Sequence, residues 1–142
     1  MIVLDTTVLV YAVGADHPLR DSCRQIVRAV QSGDVPARTT IEVIQEFAHV
    51  RAKRRGRHDA SILAHEYGSL LQPLIVLDEL DLRRGLELFE EHDQLGSFDC
   101  LLAAAVVRHG ASALVSADRA FDGVPGLRAL DPAADLERIL KA

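Results

Sequence analysis

Short runs of branched apolar residues recur along this sequence, each followed by a stretch with helical periodicity. Ile2-Val3-Leu4 opens the chain, Leu74-Ile75-Val76-Leu77 stands near its middle, and Ala113-Leu114-Val115-Ser116 follows a nearly all-apolar stretch. Runs this short and this uniformly apolar suit strands buried on both faces, as in parallel sheets. Residues 127–130 give a fourth strand and residues 37–40 a weaker one. The intervening segments read as helices. Residues 7–13 form a short one, and residues 22–30 carry a stripe of Cys23, Ile26, Val27 and Val30. Further helices are expected over 41–53, 58–71, 80–91, 97–108 and 133–140. In the third of these, 80–91, Leu82, Leu86 and Phe89 share one side. Strands separated by helices pair in parallel, with helices on both faces of the sheet. The chain thus predicts an α/β fold over residues 1–142, with a central parallel sheet of four or five strands.

Composition narrows the function classes. Of 142 residues, 21 are acidic and 16 are Lys or Arg, a formal charge of −5, which excludes a uniformly basic nucleic-acid-coating protein but not a local basic patch. Aromatics are only 4%, with no Trp, so a base-stacking sheet of aromatics is not expected. Cys23 and Cys100 have no ligand-type spacing and fit a reducing, cytoplasmic setting. No apolar run approaches membrane-spanning length. The segment from Met1 to Asp5 lacks a basic n-region and reads as a first strand rather than a signal peptide.

The acids carry the chemistry. Asp5 and Asp118 each follow an apolar run, at the carboxyl ends of strands where ligands bind in open α/β sheets. Glu46 sits among Val43, Ile44, Phe47 and Val50, near the buried edge of its helix. Asp99 stands at the mouth of an apolar helix, with Ser97 as the expected N-cap and the helix dipole keeping the acid ionised. Singly, each acid has a structural explanation: cap, turn or boundary ion pair. Thr39-Thr40-Ile41-Glu42 matches a capping box, which gives Glu42 such a role. Together, clustered carboxylates repel one another unless a hard divalent cation sits among them. Thr6 and Thr7 offer hydroxyls to orient Asp5. No phosphate-cradling or dinucleotide-binding glycine motif is present. The position two after Asp5 is Thr7, not the second Asp an aspartyl-phosphate phosphatase needs, and the acidic pair of a receiver domain is missing as well.

The segments Met1 to Tyr11, Glu46-Phe47, Phe98 to Ala104 and Leu114 to Asp122 resemble, in order and spacing, the successive motifs of PIN domains. More narrowly they resemble the VapC-type toxins of bacterial toxin–antitoxin pairs. The resemblance implies an α/β/α sandwich and an endoribonuclease dependent on Mg²⁺ or Mn²⁺. It implies catalytic roles for Asp5, Glu46, Asp99 and Asp118, with Asp5, Asp99 and Asp118 holding metal. Thr7 and Ser116 match hydroxyl positions beside that site; Asp122 is peripheral. It further implies a small VapB-like antitoxin as partner and a homodimer. The alternatives are a PIN-type nuclease of RNA processing without an antitoxin, and a catalytically silent PIN-like binding module.

A basic stretch, Arg51, Lys53, Arg54, Arg55 and Arg57, offers phosphate contacts for RNA or is simply a solvated helix end. The apolar content of the helices, notably Val27, Ile44, Phe47, Val50, Ile62, Leu63 and Leu70, exceeds what so small a core needs. An exposed apolar groove for a partner helix is therefore expected.

Overall fold

The computed structural model describes residues 1–142. Four short strands, β1 (Ile2–Leu4), β2 (Ala37–Arg38), β3 (Ala113–Val115) and β4 (Ala129–Leu130), form one sheet in the order β2-β1-β3-β4, parallel throughout. Strand β1 is central because all three of its residues are buried and can take partners on both edges. Seven α-helices connect and flank these strands: α1 (Thr6–Val13), α2 (Arg20–Gln31), α3 (Ile41–Arg55), α4 (Arg57–Leu70), α5 (Glu79–Glu91), α6 (Ser97–Arg108) and α7 (Leu136–Ile139). The core is contiguous across sheet and helices, with Phe47, Phe121, Leu4, Leu9 and Ile26 among its fully buried side chains. No helix is long and apolar enough to cross a membrane.

Parallel pairing of β1 with β3 aligns Leu4 with Val115, so both strands end at the same edge of the sheet. Asp5 and Ser116 are the next residues on each. That register fixes the place of the site. Gly56 alone joins α3 to α4, with φ at +88°, a conformation that side-chained residues avoid.

Two expected elements differ, and a third helix turns its apolar side outward. The run 74–77 is not a strand. Only Ile75 of it is buried; its N–H donates to the Thr39 carbonyl (2.9 Å), a single bridge beyond β2, while Val76 is 65% exposed. The run then enters the cap of α5, where Asp78 and Asp81 form a reciprocal capping box. The last helix spans only Leu136–Ile139, because the Asp131 side chain binds the N–H groups of Ala133 and Ala134 in a preceding turn. In α5, Leu82, Leu86 and Phe89 face solvent instead of the core, with Leu86 53% exposed. The buried side is Asp81, Gly85 and Leu88. Gly85 brings the two backbones together: a Cβ there would lie 2.9 Å from the Leu101 Cα of α6. Asp81, fully buried, accepts two bonds from Arg108 (2.7 and 2.9 Å) at the far end of α6. A paired carboxylate and a glycine thus outrank three apolar side chains in setting the helix's rotation.

The apolar surplus is largely absorbed. Phe47 and Val27 are buried, Ile44, Val50, Leu63 and Leu70 are half-buried, and only Ile62 of that set is exposed.

Candidate active site

The site is assembled on the sheet edge where β1 and β3 end. Asp5 caps α1 with its backbone, but its carboxylate makes no cap bond. Its Oδ2 instead accepts two hydroxyls, Thr7 Oγ1 at 2.8 Å and Ser116 Oγ at 2.7 Å. Each hydroxyl is itself held: Thr7 Oγ1 accepts the Ala117 N–H (3.0 Å), and Ser116 Oγ accepts the Asp118 N–H (3.0 Å). Both hydroxyls donate to Asp5, and their oxygens lie 3.5 Å from one another. The carboxylate is 4% exposed and fixed through one oxygen, leaving Oδ1 for a ligand.

Glu46 reaches the same edge from α3. The start of that helix is pinned to the end of β1, since buried Thr39 donates to the Leu4 carbonyl (2.7 Å) and Thr40 accepts the Val43 N–H (3.2 Å). The capping box expected over residues 39–42 therefore does not form. Thr39 is spent on the strand, Thr40 caps alone, and Glu42 keeps a buried Oε2 without a partner. Two turns into α3, Glu46 accepts a hydrogen bond from the Thr6 hydroxyl. The neighbouring threonines thus divide the work: Thr6 orients Glu46 and Thr7 orients Asp5.

Asp99 lies in the first turn of α6, whose N-cap is Gly96 with no side-chain bond; Ser97 is already helical and does not cap. Asp118 caps a 3₁₀ turn, Arg119–Gly123, accepting the Ala120 N–H at 2.9 Å. The four acids line one cavity of about 250 Å³. Thr6, Thr7, Val10, Tyr11, Val50 and Arg54 complete its wall.

Electrostatics register the crowding. Burial first, then the charges of Asp5, Asp118 and Glu46, push the Asp99 carboxyl up from 3.8 to about 6. The backbone at Gly96 pulls the other way and is outweighed, so the helix end does not by itself keep this acid ionised at mildly acidic pH. Four convergent carboxylate oxygens are hard donors suited to Mg²⁺ or Mn²⁺. No three of the His, Cys, Asp and Glu side chains stand close enough to form a ready-made ligand set. The set fits such an ion on its chemistry: the repulsion recorded at Asp99 is what a divalent cation relieves.

The basic stretch separates into different roles. Arg51 is turned inward, paired with Asp59 (2.5 and 3.3 Å) and donating to the Val13 carbonyl (3.1 Å), so it ties α3 to α4 and α1 and is not free for RNA. Arg54 stands on the cavity wall. Lys53, Arg55 and Arg57 are exposed outside that cavity. Tyr11 is the wall residue that the sequence left unassigned. Its signal is spacing: Thr7 and Tyr11, like Glu46, Val50 and Arg54, are four apart and share a helix face.

Residues 2–127 match the family model of the PIN domain. The chain belongs to the PIN-domain family. This PIN domain is 53% identical over 125 residues to Ribonuclease VapC7 of Mycobacterium tuberculosis, covering 85% of the chain and 84% of that relative. It is 29% identical over 136 residues to Ribonuclease VapC13 of the same organism, covering 92% and 99%. Among solved structures, the PIN domain resembles a chain of VapBC2 from Rickettsia felis bound to a promoter DNA fragment, with a TM-score of 0.72, 22% identity, and coverage of 92% and 98%. It also resembles a chain of a toxin–antitoxin complex from Klebsiella pneumoniae, with a TM-score of 0.68, 16% identity, and coverage of 93% and 98%. These two likenesses place the parallel sheet and its flanking helices among known PIN-like α/β/α folds.

Proposed function

We propose that this PIN domain is a divalent-metal-dependent endoribonuclease and the toxin of a toxin–antitoxin pair. The observation that carries the reading is the cavity itself: four carboxylates from four separate elements, with Asp5 clamped by the hydroxyls of Thr7 and Ser116. The relative named Ribonuclease VapC7, 53% identical, supports RNA as substrate. A divalent cation bound there supplies charge neutralisation for a phosphodiester and a lowered pKa for a water molecule.

The chain's own residues do the rest. Asp5, Asp99 and Asp118 would hold Mg²⁺ or Mn²⁺. Thr7 and Ser116 keep Asp5 from rotating away, so no orientation has to be found when the ion arrives. Glu46, steered by Thr6, sits on the opposite helix to accept a proton from the attacking water or to share in metal binding. No histidine, cysteine or serine nucleophile lines the cavity.

An antitoxin is the proposed regulator, since both solved neighbours are described as toxin–antitoxin assemblies. A homodimer is proposed on the exposed side of α5. There Leu82, Leu86 and Phe89 form an exposed apolar stripe. Two copies packed about a twofold axis would bury this stripe. The proposed setting is the bacterial cytoplasm.

The test compares wild type and Asp5→Asn on RNA with Mg²⁺ or Mn²⁺, then with EDTA. Cleavage that needs the metal and drops at least about a hundredfold in the variant is expected. Metal-independent cleavage by the wild type would sink the mechanism. Growth arrest on expression, relieved by a co-expressed antitoxin, is expected; its absence would leave a nuclease without the toxin role.

A further inference from the structure

The four acids occupy only part of the cavity. On α3, Glu46, Val50 and Arg54 succeed one another at four-residue intervals, so one helix face runs along the wall from a carboxylate to a guanidinium. Eight residues of α-helix rise about 12 Å, a span of one or two nucleotides of single-stranded nucleic acid. Arg54 is the one cation among the ten residues lining this cavity. It is exposed and makes no ion pair, although acids line the same wall; Arg51, three residues before it, is fully engaged by Asp59.

On α1, lining the same cavity, stands Tyr11, half-buried. Its ring stacks on His17, with centroids 4.2 Å apart and planes 19° from parallel. His17 is held in turn, its Nδ1 accepting the Leu19 N–H at 3.1 Å, which fixes the imidazole against the tyrosine. The chain's other tyrosine, Tyr67, donates its hydroxyl to the Leu9 carbonyl; that of Tyr11 has no partner within the chain. A braced aromatic ring with a free hydroxyl and an unpaired guanidinium on the wall of one cavity are the two elements of a nucleotide site: a surface for the nucleoside and a fork for its phosphate.

We infer that Tyr11 and Arg54 form a substrate-positioning subsite for the nucleotide flanking the bond cut at the acidic site. Arg54 binds the neighbouring phosphate and Tyr11, backed by His17, packs against the nucleoside. The subsite holds the strand across a cavity whose acids would otherwise repel it. This rests on the ribonuclease reading and adds to it the residues that seat the substrate.

The experiment uses the full chain and a random-sequence single-stranded RNA of about twenty nucleotides. Steady-state cleavage with Mn²⁺ is followed for wild type, Arg54→Ala, Arg54→Lys, Tyr11→Leu and, as a charge-matched control, Lys141→Ala. Binding of the same RNA is measured by fluorescence anisotropy in an Asp5→Asn background over a range of salt. Arg54→Ala is expected to raise KM about tenfold with kcat nearly unchanged, and Arg54→Lys to recover part of that loss. Its binding should lose about 0.7 from the slope of log K against log salt, the share of one phosphate contact on a single strand. Tyr11→Leu is expected to raise KM severalfold without altering the salt slope. Mn²⁺ affinity by calorimetry should be unchanged or tighter in Arg54→Ala, since a cation has been taken from beside the acids. A KM and salt slope for Arg54→Ala matching those of Lys141→Ala would overturn the subsite while leaving the nuclease intact. So would an equal loss of metal affinity and RNA affinity, which marks general damage. Failure of the wild type to cleave any RNA would overturn the ribonuclease reading, and the subsite with it.

Discussion

Replacing Asp99 with Asn should make the metal-free protein more stable while abolishing its activity. In the folded chain the Asp99 carboxyl is held at about 6 against an ordinary 3.8, chiefly by burial and then by the charges of Asp5, Asp118 and Glu46. The folded state therefore binds this proton more tightly than the unfolded state does. The stability that the protonated acid contributes is fully present below 3.8 and is lost as pH rises through about 6. Above that, the ionised acid is a standing cost. Two pKa units correspond to about 3 kcal/mol, and because the carboxyl is only about half buried, solvent screening reduces this to roughly 1–2 kcal/mol. For a chain of this size each kcal/mol moves Tm by about 2–4 °C, so a gain of roughly 2–8 °C is expected at about pH 7.5 in EDTA. Circular-dichroism melts of both proteins at about pH 7.5 and about pH 4 would measure it. At the lower pH the wild-type acid is largely protonated and the gain should nearly vanish. Saturating Mg²⁺ should raise the Tm of the wild type and leave that of the variant almost unmoved. Equal Tm values at pH 7.5, or a gain of the same size at pH 4, would refute the account of Asp99 as an acid strained by its neighbours.

Other substitutions probe the scaffold. Gly85→Ala gains about 1 kcal/mol in helix propensity, yet its Cβ would meet the Leu101 backbone at 2.9 Å. Overpacking of about 1–3 kcal/mol should prevail and lower Tm; a raised Tm would disprove the close approach of α5 and α6. Asp81→Asn should lower Tm at neutral pH and flatten the acid limb of the stability curve. The Arg108 guanidinium holds the Asp81 carboxyl well below the usual range, and that stabilisation is present above about 3.8 and lost as pH falls. An unchanged acid limb in urea titrations would count against it. Thr7→Val should cut ribonuclease activity by about 10–100-fold with a small effect on Tm, because Asp5 loses one of its two orienting hydroxyls. Full activity would mean that Ser116 alone suffices.

Much of the fold was legible in the sequence because its signals are local. Ile2–Leu4 and Ala113–Val115 are short, fully apolar and followed by polar residues, a pattern that suits a doubly covered parallel strand. The helix Ser97–Arg108 begins and ends where its apolar run does. The run 74–77 looked the same and is not a strand. Whether an apolar run joins a sheet depends on an available edge, and here the β2 edge accepts only Ile75. The outward turn of the Leu82, Leu86 and Phe89 stripe has a related reason. Hydropathy cannot see that Gly85 fits against α6 and that Asp81 finds Arg108 twenty-seven residues away.

The amino-acid order by itself determined which acids stand beside strand ends and which helix faces carry Glu46 and Arg54, since both follow from residue period. It did not determine that Asp5, Glu46, Asp99 and Asp118 share one cavity, that Thr6 serves Glu46 while Thr7 serves Asp5, or that Arg51 is turned away from the site and Arg54 towards it. Those facts arise from the pairing of β1 with β3 and the anchoring of α3 to Leu4. The anchoring bond of Thr39 to Leu4 and that of Ser116 to Asp5 join residues 35 and 111 positions apart, whose partners are chosen only when the chain closes on its core.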